Sequence, residues 1–429
     1  MLKYIWQVPQ DLFLTVTFAT LIHAVLFRTV GVKGKRIHWY GIGFGILSAT
    51  IFSYVRNTTS LIITSYWHHY LYLVILVFTL LFALFSLICG KRRDAGLTAA
   101  TAVYSLSGAV LSAAWIFFRL PTVLFYPFNF NTMGNGYLSW YYFQRLLGWL
   151  IALLILVIYA RLLYLCALEI KKQAVPLFAL NIGTIANAVY CAGYFFVPWV
   201  NRAKWLHAIV KYDREKFPWA RRLVMFTATH AMLFIWITAA SAAGLMILFF
   251  IENLKVTEAY ENSAQHRKLR AINRRHRREA AAAMFFLAAI VVSLTVVKAY
   301  DTRVVELSAP ETYTVEGDEI LIPIEMVSDG HLHRFEYKTE KNINVRWIVV
   351  KKPGSASFGV GLDACEVCGD AGYFERNGQV ICKRCDVVMN INTIGFKGGC
   401  NPIPLAYAVR DGNLVFALED IIAGEREFR

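Results

Sequence analysis

The first 300 residues of this 429-residue chain contain few acidic side chains, 9 Asp and Glu against 30 Lys and Arg. Charged residues make up only 17% of the whole chain and hydrophobic residues 57%, which is too apolar for an ordinary soluble protein. The sequence also lacks paired carboxylates, a nucleophile with an adjacent base, and a phosphate-binding loop. A hydrolase or kinase is therefore not predicted, and the scarcity of acidic residues in the apolar runs argues against a cation pathway through this chain alone.

Long apolar runs dominate the first 300 residues and predict a polytopic α-helical membrane protein with about eight transmembrane helices. The first run is long enough to remain in the lipid bilayer rather than be removed as a signal peptide. The glycines of "YGIGFGIL" (40–47) lie inside such a run and predict close helix packing. The predicted spans are 11–30, 39–55, 63–89, 96–118, 140–166, 176–199, 223–251 and 280–298.

The basic residues predict how these spans are oriented. Eight Lys and Arg lie between residues 255 and 278, so this loop is expected to be cytoplasmic, with both termini outside a bacterial inner membrane. Because topology explains the positive charge, no nucleic-acid partner is expected. Residues 201–222 do not fit the pattern, because they carry seven Lys and Arg on the outer side. We interpret them as an amphipathic helix on the membrane surface.

The composition changes after residue 300, where 14 Lys and Arg face 20 Asp and Glu. Short apolar segments separated by turn residues predict a small β-rich domain, which the predicted topology places outside the cytoplasm. The chain is thus divided into a helical membrane domain, 1–300, and a β-rich domain, 301–429. The predicted strands are 319–327, 332–339, 344–352, 378–383 and 413–418.

Five of the eight cysteines lie in the β-rich domain, with the spacing Cys365-x2-Cys368-x13-Cys382-x2-Cys385-x14-Cys400. Two C-x-x-C pairs about a dozen residues apart can direct four thiolates at one metal ion. Three alternatives remain open: a structural zinc ribbon, an iron-sulfur cluster or other cysteine-ligated iron or copper centre, and a pair of disulfides. Neither pair is followed by His, which excludes c-type haem attachment.

Four segments of this domain resemble the iron-sulfur domain of the FtrD-like family of bacterial membrane proteins. They are "SDGHLHRFEY" (328–337), "DACEVC" (363–368), "VICKRC" (380–385) and "GGCNPIPL" (398–405). The resemblance implies an electron-transfer component of an iron-uptake system, with an iron permease and a periplasmic iron-binding protein as partners. It also implies that Cys365, Cys368, Cys382 and Cys385 are the metal ligands.

Three further polar residues of the β-rich domain are candidates for the site. Cys400 matches the family pattern and is either an additional ligand or a buried thiol at a turn. His333 matches it too, but strand histidines are more often exposed than bound to metal. Asp363 is expected to hold the backbone beside the first cysteine pair rather than to bind the metal.

Four histidines, His23, His68, His69 and His230, fall within or at the edge of predicted spans, where ionisable groups are costly and often functional. His68 or His69 and His230 have similar predicted depths, as two axial ligands of a b-type haem would. His23 lies deeper, where a second centre or a quinone would bind. The alternative is that each ring only forms hydrogen bonds to a neighbouring helix.

Three functions follow from these features. The first is a membrane electron carrier, similar to a ferric reductase, that passes electrons to a cysteine-ligated centre. The second is a metal-transporter subunit, although the R-E-x-x-E signature of the iron permease is absent, since neither Arg214-Glu215 nor Arg278-Glu279 has the second Glu. The third is a non-redox binding or assembly module that holds zinc. No catalytic residue is predicted.

Overall fold

A computed structural model of the chain describes residues 2–59, 62, 64–90, 96–127, 140–200, 218–303, 306–376, 378–385 and 387–428. It divides into a helical unit that ends at Asp301 and a β-rich unit that consists of the residues from Thr302 onward, with which residues 140–143 are grouped. The predicted fold class, a polytopic helical region followed by a β-rich region with grouped cysteines, is confirmed.

Among the described residues, seven helices are long and apolar enough to cross a membrane, which makes this a multi-pass membrane protein. The predicted span 39–55 lies in an eighth long helix, α2, which is less apolar than the other seven. The helices are α1 (Leu2–Val30), α2 (Val32–Thr58), α3 (Thr64–Cys89), α4 (Ala99–Phe125), α5 (Trp140–Glu169), α6 (Ala174–Phe195), α7 (Val197–Val200), α8 (Pro218–Thr229), α9 (Ala231–Glu252) and α10 (Ser263–Asp301).

Two predicted spans differ from the helices in detail. The predicted span 223–251 is divided between α8 and α9, with a break at His230. The predicted span 280–298 is the second half of α10, which begins in the basic segment and contains a π-helical turn at Ser293–Val297. The amphipathic helix expected at 201–222 lies mainly outside the described residues, which resume at Pro218.

The glycines of α2 allow it to pack closely against α4. A Cβ atom on Gly41 would lie 2.6 Å from the carbonyl oxygen of Ala109, and one on Gly45 would lie 2.9 Å from Cα of Ala113. Both positions therefore require glycine, as the sequence pattern predicts. A Cβ atom on Gly43, which lies between them, would have no atom within 4 Å among the described residues outside its own helical turns.

In the described part of the β-rich unit, the strands form three antiparallel sheets with strand orders β1-β2-β9-β8, β3-β4-β5 and β6-β7. Each of the five predicted strand segments contains one of these strands. The first two sheets enclose a core around Phe335, Trp347 and Phe416, which are fully buried. The strands are β1 (Thr314–Glu316), β2 (Glu319–Pro323), β3 (His333–Lys338), β4 (Asn344–Lys351), β5 (Phe358–Leu362), β6 (Tyr373–Arg376), β7 (Gln379–Cys382), β8 (Ala408–Arg410) and β9 (Asn413–Ala417), followed by α11 (Leu418–Ala423).

Candidate metal centre

The first cysteine pair lies in a tight turn directly after β5. Backbone hydrogen bonds join Cys365 and Gly369 in both directions, at 3.0 and 2.9 Å. Gly369 closes the turn with a φ of 66°, a conformation that glycine adopts readily. Within the turn the backbone N–H of Cys368 donates to Sγ of Cys365 at 3.1 Å. The two-residue spacing therefore directs both sulfurs to the same side.

The second pair lies at the end of the β6–β7 hairpin, in which Tyr373 is the cross-strand partner of Cys382. The N–H of Cys382 donates to the carbonyl of Val387 at 3.0 Å, which closes a turn that contains Cys385. The N–H of Lys383 donates to the carbonyl of Gly372 at 2.9 Å, so this turn is tied to the residue before β6.

Cys400 is brought to the two pairs from a distant loop. It follows Gly398 and Gly399, which have φ values of 125° and 62°. The hydroxyl of Tyr373 donates to the carbonyl of Cys400 at 2.7 Å, and the sulfurs of Cys385 and Cys400 are 3.8 Å apart. The fifth cysteine thus lies beside the predicted ligands.

The five sulfurs form two overlapping groups, in each of which all ligand atoms lie within 4.8 Å of one another. Cys368 belongs to both groups, with Cys365 and Cys382 in one and Cys385 and Cys400 in the other. All five are free cysteines rather than disulfide partners. Three are buried, while Cys385 and Cys400 are half-buried. Five converging soft donors fit a thiolate-bound metal, so this cluster can hold a metal centre.

The ionisation of the thiols depends on their burial and on their neighbours. Burial is the main cause that raises the pKa values of Cys368 and Cys382, and burial with the neighbouring Cys385 raises that of Cys400 to about 11. For Cys385 burial also acts upward, but hydrogen bonds from the Val387 backbone and from neighbouring thiols outweigh it and lower the pKa. Metal binding must therefore displace protons from most of the cluster.

A buried carboxylate holds the backbone beside the cluster. Asp363 accepts hydrogen bonds from the backbone N–H of Tyr373 at 2.7 Å and from Nε of Arg334 at 3.0 Å. The side chains of Asp363 and Arg334 are almost completely buried, and Arg346 adds a second guanidinium at 3.3 Å. Asp363 thus has the backbone-fixing role that was expected of it.

His333 lies on β3 with both ring nitrogens bonded to carboxylates. Its Nδ1 is 3.0 Å from Glu311 and its Nε2 is 2.8 Å from Asp329. These hydrogen bonds raise the pKa of His333 although burial opposes them. The neighbouring His331 pairs with Glu375 at 2.8 Å, which raises its pKa. Within the described part of the chain, the sulfur groups include no histidine.

The membrane histidines have separate surroundings. His68 packs its ring against Phe118, with centroids 5.0 Å apart. Nδ1 of His69 is 3.0 Å from the carbonyl of Phe195, and Nδ1 of His230, at the break between α8 and α9, is 3.0 Å from the carbonyl of Phe226. These rings are therefore oriented by backbone carbonyls or by aromatic packing.

His23 has a histidine partner that the sequence analysis missed. Its Nδ1 lies 2.9 Å from Nδ1 of His38, and Nε2 of His38 lies 2.8 Å from the hydroxyl of Ser112. Both histidines are buried. A signal was present, because the two lie eight positions before and seven after Gly31, the residue at the turn between α1 and α2. In a helical hairpin such positions face each other.

Comparison with known proteins adds one finding to this geometry. Residues 327–428 match the family model described as "Membrane iron-sulfur containing protein FtrD-like". Neither the curated proteins nor the solved structures gave a match to the chain. The matched range contains the two C-x-x-C turns, the fifth cysteine and Asp363, as the sequence resemblance predicted. Residues 327–428, about a quarter of the chain, are thus similar to the FtrD-like family of membrane iron-sulfur containing proteins.

Proposed function

We propose that this chain is a membrane-bound electron carrier of a bacterial iron-uptake system, which passes electrons from a quinol to iron through a cysteine-ligated centre. The observation that carries the proposal is the convergence of five free thiols in a domain of the FtrD-like family. Four thiolates are the usual ligand set of an iron-sulfur cluster, which supplies one-electron transfer when bound. Cys365, Cys368, Cys382, Cys385 and Cys400 are the residues that would hold it.

The number and exposure of the thiols support redox exchange over a purely structural zinc site. Structural zinc sites use four ligands, whereas here a fifth thiol, Cys400, lies 3.8 Å from Cys385, and both of these cysteines are half-buried and accessible to a redox partner. Val367, between the first two cysteines, is 65% exposed and offers an apolar contact to a docking protein. A periplasmic iron-binding protein beside an iron permease is the proposed partner, and the net negative charge of residues 301–429 suits a cationic cargo.

A cavity in the membrane domain supports quinol as the electron source. It has a volume of about 290 Å³, near the lower limit for small-molecule sites. The rings of Trp39 and Tyr164 lie 5.1 and 5.5 Å from that of His23. An aromatic and apolar cavity of this size suits a single quinone ring whose tail extends into lipid. Its lining is completed by Ala19, Thr20, Lys35, Ile42, Ala160 and Arg161.

The histidine pair can accept the protons that quinol oxidation releases. Each quinol that becomes a quinone gives up two electrons, which the cysteine-ligated centre would take one at a time, and two protons. When Nδ1 of His23 donates to Nδ1 of His38, Nε2 of His23 is an acceptor, and it has no hydrogen-bond partner among the described residues. The two protons would be accepted there one after the other, each leaving through His38 to Ser112 before the next arrives.

A b-type haem is proposed as an intermediate carrier between the two sites. Histidines that bind metal through Nε2 usually have Nδ1 bonded to a carbonyl or carboxylate. His69 and His230 both have that arrangement. His68 is the alternative ligand on α3.

The proposal also places the β-rich domain outside the inner membrane. The basic segment at the start of α10 supports this, because loops rich in Lys and Arg tend to remain cytoplasmic and the β-rich domain follows the far end of α10.

Analysis of the purified full-length chain tests the proposal. Iron with acid-labile sulfide and a visible charge-transfer spectrum are expected, and Cys368→Ser should remove them, whereas Cys191→Ser in the membrane domain should not. A split α band after dithionite reduction would identify haem. A colourless protein that holds zinc alone would overturn electron transfer and favour the zinc-binding module.

The quinol site is tested separately. His23→Leu should slow reduction of the centre by a soluble quinol, because the proton acceptor in the cavity is lost. Reduction by dithionite and the iron content should remain unchanged. An unaltered quinol rate would reject the cavity at His23 as the electron entry site and leave the assignment of the cysteine centre intact.

A further inference from the structure

A second cavity lies where α9 ends and α10 begins, and its lining is basic. It has a volume of about 460 Å³ and contains four Lys and Arg side chains but no Asp or Glu. None of these four cations forms an ion pair within the described ranges, whereas the nearby Arg275, which does not line the cavity, pairs with Glu279. The lining residues are Asn253, Leu254, Lys255, Val256, Tyr260, His266, Arg270, Asn273, Arg274 and Arg277.

Buried hydrogen bonds hold the two walls of this basic cavity together. Oδ1 of Asn253, just after α9, is 3.0 Å from Nδ1 of His276 on α10. Nδ2 of Asn273 donates to the carbonyl of Lys255 at 3.1 Å. Asn253, Asn273 and His276 are all buried. The cations therefore converge on a preformed concavity, which topology selection alone would not require.

We propose that the basic cavity binds the phosphodiester headgroup of an anionic phospholipid. It lies directly after the membrane-spanning helix α9, which ends at Glu252, so it is level with the headgroups of the adjoining leaflet. Ile251, Leu254 and Tyr260 are each about half exposed beside it and provide the apolar surface that acyl chains would contact. Basic pockets between membrane helices are known to bind such headgroups. A soluble phosphate compound shares the chemistry but would not need the apolar rim.

Binding of spin-labelled phosphatidylglycerol to the full chain in phosphatidylcholine nanodiscs tests this proposal. The double variant Arg270→Gln/Arg274→Gln should bind this lipid at least roughly 30-fold more weakly, since each guanidinium would donate a charge-assisted hydrogen bond to the phosphodiester, a contact that contributes at least about fivefold. The control Arg267→Gln/Arg278→Gln removes the same charge from the same helix outside the cavity, and should change binding less than about threefold.

Two results would overturn the proposal. Equal weakening in the two double variants would mean that only the net charge of α10 attracts the lipid. Displacement of the bound lipid by millimolar inorganic phosphate or ADP would assign the cavity to a soluble phosphate compound. Both arginines in the cavity variant are exposed, so the fold should persist, and Lys255→Gln on the opposite wall provides a second variant.

Discussion

The buried ion pair of Asp363 and Arg334 gives the sharpest test of how the metal centre is supported. In Asp363→Asn the side chain keeps its shape, and its amide oxygen can still accept the N–H of Tyr373. The buried guanidinium of Arg334, however, loses its counter-charge. Removing one partner of a buried ion pair costs about 3 to 5 kcal/mol, because the remaining charge stays desolvated. Arg346 reduces this cost little, since it adds another positive charge.

This cost is large for a domain of this size. A domain has a total stability of about 5 to 15 kcal/mol, and each kcal/mol shifts the midpoint of thermal unfolding by a few degrees. Asp363→Asn should therefore lower the midpoint of the β-rich domain by about 10 °C or more. β6 should also exchange its amide hydrogens faster, because Arg334, which loses its counter-charge, donates to the carbonyl of Tyr373, the first residue of β6.

Hydrogen exchange with mass spectrometry on the full chain locates the effect. Peptides that contain β6 and β7 should lose protection, and the metal content should fall although no ligand is altered. Glu366→Gln is the matched control, because Glu366 is a half-exposed carboxylate with a long 3.9 Å ion pair to Lys397. If Asp363→Asn lowered the free energy of unfolding by less than about 1 kcal/mol, as expected for the exposed control, the role given to the buried pair would be refuted.

Three further predictions follow. Cys368→Ser should abolish metal binding, measured by elemental analysis, because this thiol belongs to both sulfur groups; retained metal would show that the other four suffice. Glu375→Gln should lower the unfolding midpoint more at pH 6 than at pH 8.5, because Glu375 raises the pKa of His331. A raised pKa gives stability that is present below about pH 6.5 and is lost as the pH rises through the folded-state value. An equal effect at both pH values would exclude the charged pair. Gly41→Ala should destabilise the helical domain by about 1 to 3 kcal/mol, since the added Cβ clashes with α4. Gly43→Ala is the control and should stabilise the domain by up to about 1 kcal/mol. Equal thermal unfolding midpoints of the two variants in detergent would contradict the close packing of α2 against α4.

The sequence alone was sufficient for the features that depend on local pattern. Hydrophobic runs of about 20 residues identify the membrane helices because an unpaired backbone cannot be accommodated in lipid. The C-x-x-C spacing directs two sulfurs to one side within a single turn, so a cysteine cluster that could hold a metal was predictable without a structure. The glycines of α2 likewise indicated a close helix contact before the residues of α4 that they meet were known.

The tertiary structure decided the contacts between residues far apart in the chain. It brought the sulfur of Cys400 to within 3.8 Å of that of Cys385 and paired His23 with His38. It also formed a cavity between Arg270 on α10 and the segment after α9. It also placed both ring nitrogens of His333 within hydrogen-bond distance of carboxylates. Spacing in the sequence cannot specify these contacts, because each depends on how two elements pack, and packing is set by shape and burial over the whole domain rather than by local pattern.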